Sequence, residues 1–200
     1  MKRFIICIML MLLLGWVQAC SANSQVAASE PVSELESQVG FETAVYILEA
    51  IQDRDYELLS QYAHPEKGIL FVPYSYIDYQ KNLMFKPEQI KNFSQDEAVY
   101  IWGEIMSPDM IEMTIANYFD HFVYDKDYIF TEQIAINAII GQGYSVENVE
   151  EVFENAIFVE FYDKGSVEYE GLDWSSLKIV MEKYNEEFKI VALIHASYTL

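Results

Sequence analysis

The side chains able to act as nucleophiles, general bases or metal ligands are scattered along this chain rather than grouped. Ser175-Ser176-Leu177-Lys178 has the S-x-x-K spacing, in which a lysine one helical turn from a serine takes the hydroxyl proton and frees the oxygen for acyl transfer. That chemistry requires a helix, and this segment opens a run of strand-forming residues, where positions three apart face opposite sides of a sheet. No S-D-N or K-T-G follows it, and no G-x-S-x-G elbow occurs. Gly141-Gln142-Gly143 lacks both the third glycine of a dinucleotide loop and the lysine of a phosphate loop, and predicts a turn.

The three histidines, His64, His121 and His195, are the side chains whose ordinary titration falls near neutrality. No H-E-x-x-H or comparable ligand spacing joins them, so neither a metal nor another cofactor is expected. His64 precedes Pro65 at a helix end, where an imidazole can cap carbonyls. His121 falls on a helix beside core aromatics, and His195 on the last strand. Each is expected to be structural unless a histidine meets an acid inside a concave sheet, which would make a general base. Acid pairs such as Asp125 with Asp127, or Glu168 with Glu170 and Asp173, follow from the density of carboxylates, and the EF-hand order of acids and glycine is absent. Tyr74, Tyr76, Tyr79, Tyr100, Trp102 and Trp174 could stack sugars or peptides, although packing accounts for most of them more simply. The residues to place first are His64, Trp102, His121, Trp174 and His195.

Lys2 and Arg3 precede an apolar run, Phe4–Val17, as in an export signal. At about 14 residues the run is shorter than the roughly 18–20 a spanning helix needs. Behind it stands Val17-Gln18-Ala19-Cys20, with a branched apolar residue, a small residue and then cysteine. This stretch resembles the lipobox of bacterial lipoproteins. The resemblance implies that cleavage follows Ala19 and that Cys20, diacylated on its thiol, becomes the first residue and the membrane anchor. The two cysteines are Cys7 and Cys20, so the body of the chain has no thiol for a disulfide, a metal or nucleophilic catalysis. A double acyl anchor holds a protein where a single chain is marginal.

Loss of residues 1–19 would remove two bases and no acids, taking the net charge from −20 to −22. Such a surface repels phosphate backbones and anionic headgroups, which argues against nucleic-acid binding. Ser21 to about Gln38 is polar and poor in aromatics, as expected of a tether. Val39–Leu200 is long enough for one domain.

Phe41, Ala44, Val45, Leu48 and Ile51 recur at helical spacing. Asp53-Arg54-Asp55 interrupts them, and a second short helix must stop before Pro65. Gly68 opens a strand at Ile69–Val72, with Pro73 predicting a kink or an edge. Pro87–Phe93 predicts one or two helical turns, and Ala98–Ile105 a strand. Ser107-Pro108 predicts a cap for a helix carrying Ile111, Ile115, Tyr118, Phe119 and Phe122. An extended run over Gln133–Ile140 leads to a short acidic helix from Ser145 or Val146 to about Glu154. Three long strands end the chain, at Ala156–Tyr162, Leu177–Tyr184 and Phe188–Ala196, the last two joined tightly at Asn185-Glu186-Glu187. Helices first and strands last make an α+β domain: one curved antiparallel sheet ending in a meander, with helices on one face.

His64-Pro65-Glu66-Lys67-Gly68, Ile111-Glu112-Met113-Thr114, Phe122-Val123-Tyr124-Asp125 and Asp173-Trp174-Ser175-Ser176-Leu177, with Ile194-His195 on the final strand, are similar to a family of bacterial exported lipoproteins over nearly all of residues 41–200. That resemblance implies no reaction. The order of elements also looks like the NTF2-like or cystatin-like cone, in which a bent sheet wraps a helix and often leaves a pocket. The expected protein is thus a membrane-anchored, extracytoplasmic lipoprotein whose domain binds a small ligand or an envelope protein without catalysis. The alternative is an NTF2-like pocket enzyme, with His64, His121 or His195 and a carboxylate as general base.

Overall fold

Ser33-Glu34-Leu35-Glu36 starts the first helix by a reciprocal cap: the Ser33 hydroxyl accepts from Glu36 N at 3.2 Å, and Ser33 N donates to the Glu36 carboxylate at 3.0 Å. The computed structural model describes residues 33–106, 109–143 and 146–198, all within the unit Pro31–Leu200. The expected export signal, Cys20 and most of the expected tether lie outside them. Helix α1 (Glu34–Gln52) takes up the last residues of that tether stretch and buries Ala44, Ile47, Leu48 and Ile51 along one stripe. After α2 (Tyr56–Tyr62), capped by Asp55, the chain enters β1 (Ile69–Val72). No helix among the described residues is long and apolar enough to cross a membrane.

The middle of the chain holds β2 (Leu83–Phe85), α3 (Pro87–Ile90), β3 (Val99–Met106) and β4 (Asp109–Thr114). The helix expected after Ser107-Pro108 is corrected here, with those two residues outside the description. Ile111 is buried while Met110 and Glu112 are exposed, a period of two that pairs β4 with β3. The helix α4 (Ile115–Tyr118) starts only at its Thr114 cap, and a wide π-turn over Phe119–Val123 follows it. Then come β5 (Gln133–Ile136), α5 (Val149–Val152) and the long strands β6 (Ile157–Asp163), β7 (Ser175–Tyr184) and β8 (Glu187–Ser197). The extended run from Gln133 ends early because Asn137 turns to φ +50° and its amide oxygen accepts from Phe158 N. Asn185 and Glu186, at φ +50° and +66°, make the two-residue turn whose twist suits a hairpin.

The class is α+β, with a curved, mostly antiparallel sheet ending in the β6–β7–β8 meander. The main sheet has six strands in the order β2-β1-β8-β7-β6-β5, with β1 parallel to β8; β3 and β4 form a separate ribbon. β1 is therefore an inner strand, and Pro73 falls just past its end rather than on an edge. The arrangement is only weakly compatible with the NTF2-like cone. One face carries Phe71, Phe161, Leu177 and Ile179 against α1, α2 and Phe119. The other is covered as well: Leu70, Val180 and Ile194 pack against Ile77, Val149 and Phe153. Both covers are attached through polar groups on β6, β7 and β8.

Gly68 closes the turn into β1 at φ +77°, and a Cβ there would lie 2.3 Å from the Phe85 carbonyl oxygen. Gly68→Ala therefore carries a left-handed penalty and a backbone clash, and urea denaturation should show a loss of about 2–3 kcal/mol.

Candidate functional site

Ser175 and His195 lie on the helix-covered face at the end of the sheet where β7 begins and β8 finishes. Leu177 pairs with His195 and Ser175 with Ser197, so the serine and the histidine are diagonal neighbours. The Ser175 hydroxyl is 2.9 Å from His195 Nε2, while Nδ1 lies 2.9 Å from the Pro73 carbonyl. A carbonyl only accepts, so Nδ1 carries a proton. Asp125, in the turn after the π-turn, brings Oδ2 to 3.4 Å from Nε2 and accepts at Oδ1 from the Tyr128 hydroxyl at 2.7 Å. The Tyr128 oxygen is also 2.8 Å from Ser175 Oγ, closing the ring of contacts. Phe122 stands edge-on to the imidazole at 5.3 Å.

The electrostatics follow from this enclosure. Burial pushes the Asp125 carboxyl up, but hydrogen bonding and charge from His195, with bonds from Tyr128 and Ser175, outweigh it and hold the group below its ordinary value. Burial and the neighbouring Asp125 charge push the Tyr128 phenol well up, so it stays a donor. In a Ser-His-Asp triad the acid orients Nδ1 and the serine meets Nε2. Here acid and serine share Nε2, and a backbone carbonyl holds Nδ1. Ser175 is 1 % exposed and His195 3 %, so no substrate carbonyl reaches the hydroxyl in this conformation. The cluster ties the loop after β1, the 124–128 turn and the start of β7 to the last strand.

The second cluster lies on the opposite face. Glu160 and Lys178 are direct cross-strand partners, both fully buried. Lys178 Nζ lies 3.3 Å from Glu160 Oε1 and 3.1 Å from Glu147 Oε1. The Ser176 hydroxyl donates to Glu160 at 2.7 Å, and the Ile140 and Gly141 amides donate to the same carboxylate. The covering segment after β5 is thereby fastened to the sheet. A Cβ on Gly141 would lie 2.6 Å from the Trp174 ring, which is why that turn begins with glycine. The S-x-x-K pair is separated as strand geometry requires: Ser175 faces the helices, and Lys178 faces the other side.

The remaining candidates do not converge. His64 is buried, but its Nδ1 accepts from the Glu66 and Lys67 amides at 3.2 and 3.1 Å; it caps amides, not carbonyls. His121 is exposed, with Nδ1 2.8 Å from the Asn117 carbonyl. Trp102 is fully buried, stacked 3.7 Å from Tyr118, and its indole N–H donates to the Met113 carbonyl. Trp174 is buried beside Tyr162. Of the six aromatics considered for stacking, Tyr76 and Tyr79 are exposed and the rest are packed. Among the described residues, no group of three or more His, Cys, Asp or Glu is placed to hold a metal ion.

Sequence reasoning missed both clusters. The partner of His195 comes from a turn 70 residues earlier, and nothing local marks it. Glu160 and Lys178 did leave a signal, since each interrupts an apolar strand run and their charges are opposite. Compared with known proteins, the chain matches no family model, and no curated protein matches it at a level that shows kinship.

Burial, the largest influence, pushes the His64 imidazole below its ordinary value, with Lys67 and Lys86 acting the same way and Glu182 and Glu66 opposing. The unfolded chain then binds more protons below about pH 6.5, so the contribution is intact above that pH and lost as pH falls through the folded value. Asp125 adds a loss of the same sign as pH falls below about 4. Urea midpoints should drop between pH 7 and pH 5, and His64→Asn, which keeps an acceptor without the titration, should flatten that drop.

Proposed function

We propose that this chain is an envelope lipoprotein, anchored outside a bacterial membrane through acyl chains on Cys20, whose domain acts by binding rather than catalysis. Support for the anchor comes from Lys2-Arg3, the short apolar run and Val17-Gln18-Ala19-Cys20. The observation that carries the non-catalytic reading is the closure of the His195 cluster. The groups that could run general-base chemistry are turned on one another, and Ser175 is 1 % exposed. Its partner is an envelope component or a small ligand, and the net charge after removal of the leader, −22, disfavours nucleic acid.

A second reading has one specific observation in its favour. Ser175 Oγ, His195 Nε2 and the Pro73 carbonyl form a connected line with bonds of 2.9 Å on either side of the ring. A hydrolase would need the 124–128 turn to lift and expose that line.

Mass spectrometry of the protein recovered from bacterial membranes is expected to find Cys20 as the first residue, carrying diacylglyceryl. Cys20→Ser should move the protein out of the detergent phase, and a fluorophosphonate probe should leave Ser175 unlabelled. A free Cys20 thiol on a retained leader would overturn the anchor; labelling of Ser175 would favour the hydrolase.

A further inference from the structure

The β3–β4 ribbon has two chemically different faces. Trp102 and Ile111 point inward and are buried in the helix-side core. On the outward face Val99 is 65 % exposed, Ile101 52 % and Met110 47 %. Val99 and Ile101 are two residues apart on β3 and so share that face. Glu112 lies directly across from Ile101, and Met110 is two residues from Glu112 along β4, so Ile101 stands between Val99 and Met110, with a register shift just after it. This is a strip exposed from a ribbon otherwise devoted to packing, and strips of this kind mark interaction sites.

Charge decides what fits it. Glu97 and Glu112 border the strip, and neither forms an ion pair among the described residues; Glu104 is paired with Lys81 at 2.9 Å. Elsewhere the cations are committed: eight of the ten lysines and arginines downstream of Cys20 are in ion pairs with acids. One basic side chain reaches this face, Lys81, and Glu104, the cross-strand partner of Met110, holds it; among the described residues none pairs with Glu97 or Glu112. A second copy would bring the same acids to the same place, and an anionic bilayer would meet them with its own charge. A segment with apolar side chains between lysines or arginines matches both the strip and its border.

We infer that the outward face of the β3–β4 ribbon docks a basic, apolar segment of a protein partner, with Val99, Ile101 and Met110 as the apolar contact and Glu97 and Glu112 as its charged border. This rests on the binding-domain reading and names the surface that performs it. Side chains at Val99, Ile101 and Glu112 are exposed, so replacing them tests the face without opening the core.

The test measures fluorescence anisotropy of a labelled peptide of alternating lysine and valine added to the mature protein in zwitterionic nanodiscs, with a glutamate–valine peptide as control. Binding is expected in the roughly micromolar range for the basic peptide alone. Ile101→Glu and Glu112→Lys should each weaken it at least tenfold with the unfolding midpoint unchanged, and added salt should weaken it further. Equal binding of both peptides would overturn the proposal. Tight binding unaffected by Ile101→Glu would overturn the assigned face while leaving the binding-domain reading intact. A fluorophore on Ile101→Cys that is quenched by nitroxide lipid in the same nanodiscs would assign the face to the bilayer and overturn it too.

Discussion

The imidazole of His195 stands where three pieces of chain, distant in sequence, meet the last strand. Its Nδ1 holds the Pro73 carbonyl at the end of β1, and its Nε2 faces both Ser175 at the start of β7 and Asp125 in the turn after the π-turn. Ser75 N also donates to the His195 carbonyl, so the loop after β1 is attached through backbone and ring alike. A half-buried carboxylate gains from a donor beside it, and the Tyr128 hydroxyl donates to Asp125 while the His195 ring stands 3.4 Å away. The chemistry that would make this cluster a reaction centre is the chemistry that fastens the helix layer to the sheet.

The opposite face repeats the device with charge. Lys178 is closed off from water between Glu160 and Glu147, and the segment after β5 lies over it. Removing one member of such a group leaves an uncompensated charge in the interior, a loss of about 3–5 kcal/mol in buried pairs generally. A sheet apolar on both faces could slide under its covers. Directional bonds from β6, β7 and β8 fix each cover in one register, a role that apolar contact, being non-directional, fills less well.

Much of the frame was legible in the residues. The periodicity of Phe41–Ile51, the break at Asp53-Arg54-Asp55 and the β-rich last third each dictate their own local structure, and all three elements form where expected. The capping box at Ser33 and Glu36 was also present as a pattern, and it accounts for the earlier start of α1. Two features were not legible. Asp109–Thr114 reads as helix or strand until Trp102 and β3 are there to pair with it, because short apolar runs carry both periods. The clusters depend on which turn folds over which strand, and that is tertiary information: Asp125 looks like one acid among many until His195 is seen beside it.

With these polar groups locked inside, the proposed recognition falls to the outer surface, where the exposed face of the β3–β4 ribbon is the surface inferred for it. Asp125 and His195 act as one structural tie between the 124–128 turn and the last strand. Urea unfolding of Asp125→Asn, His195→Phe and the double variant at pH 7 measures that coupling directly. A non-additive coupling of at least about 1 kcal/mol is predicted for two groups sharing a buried network. Losses that simply add, or a domain whose stability is indifferent to both changes, would contradict it.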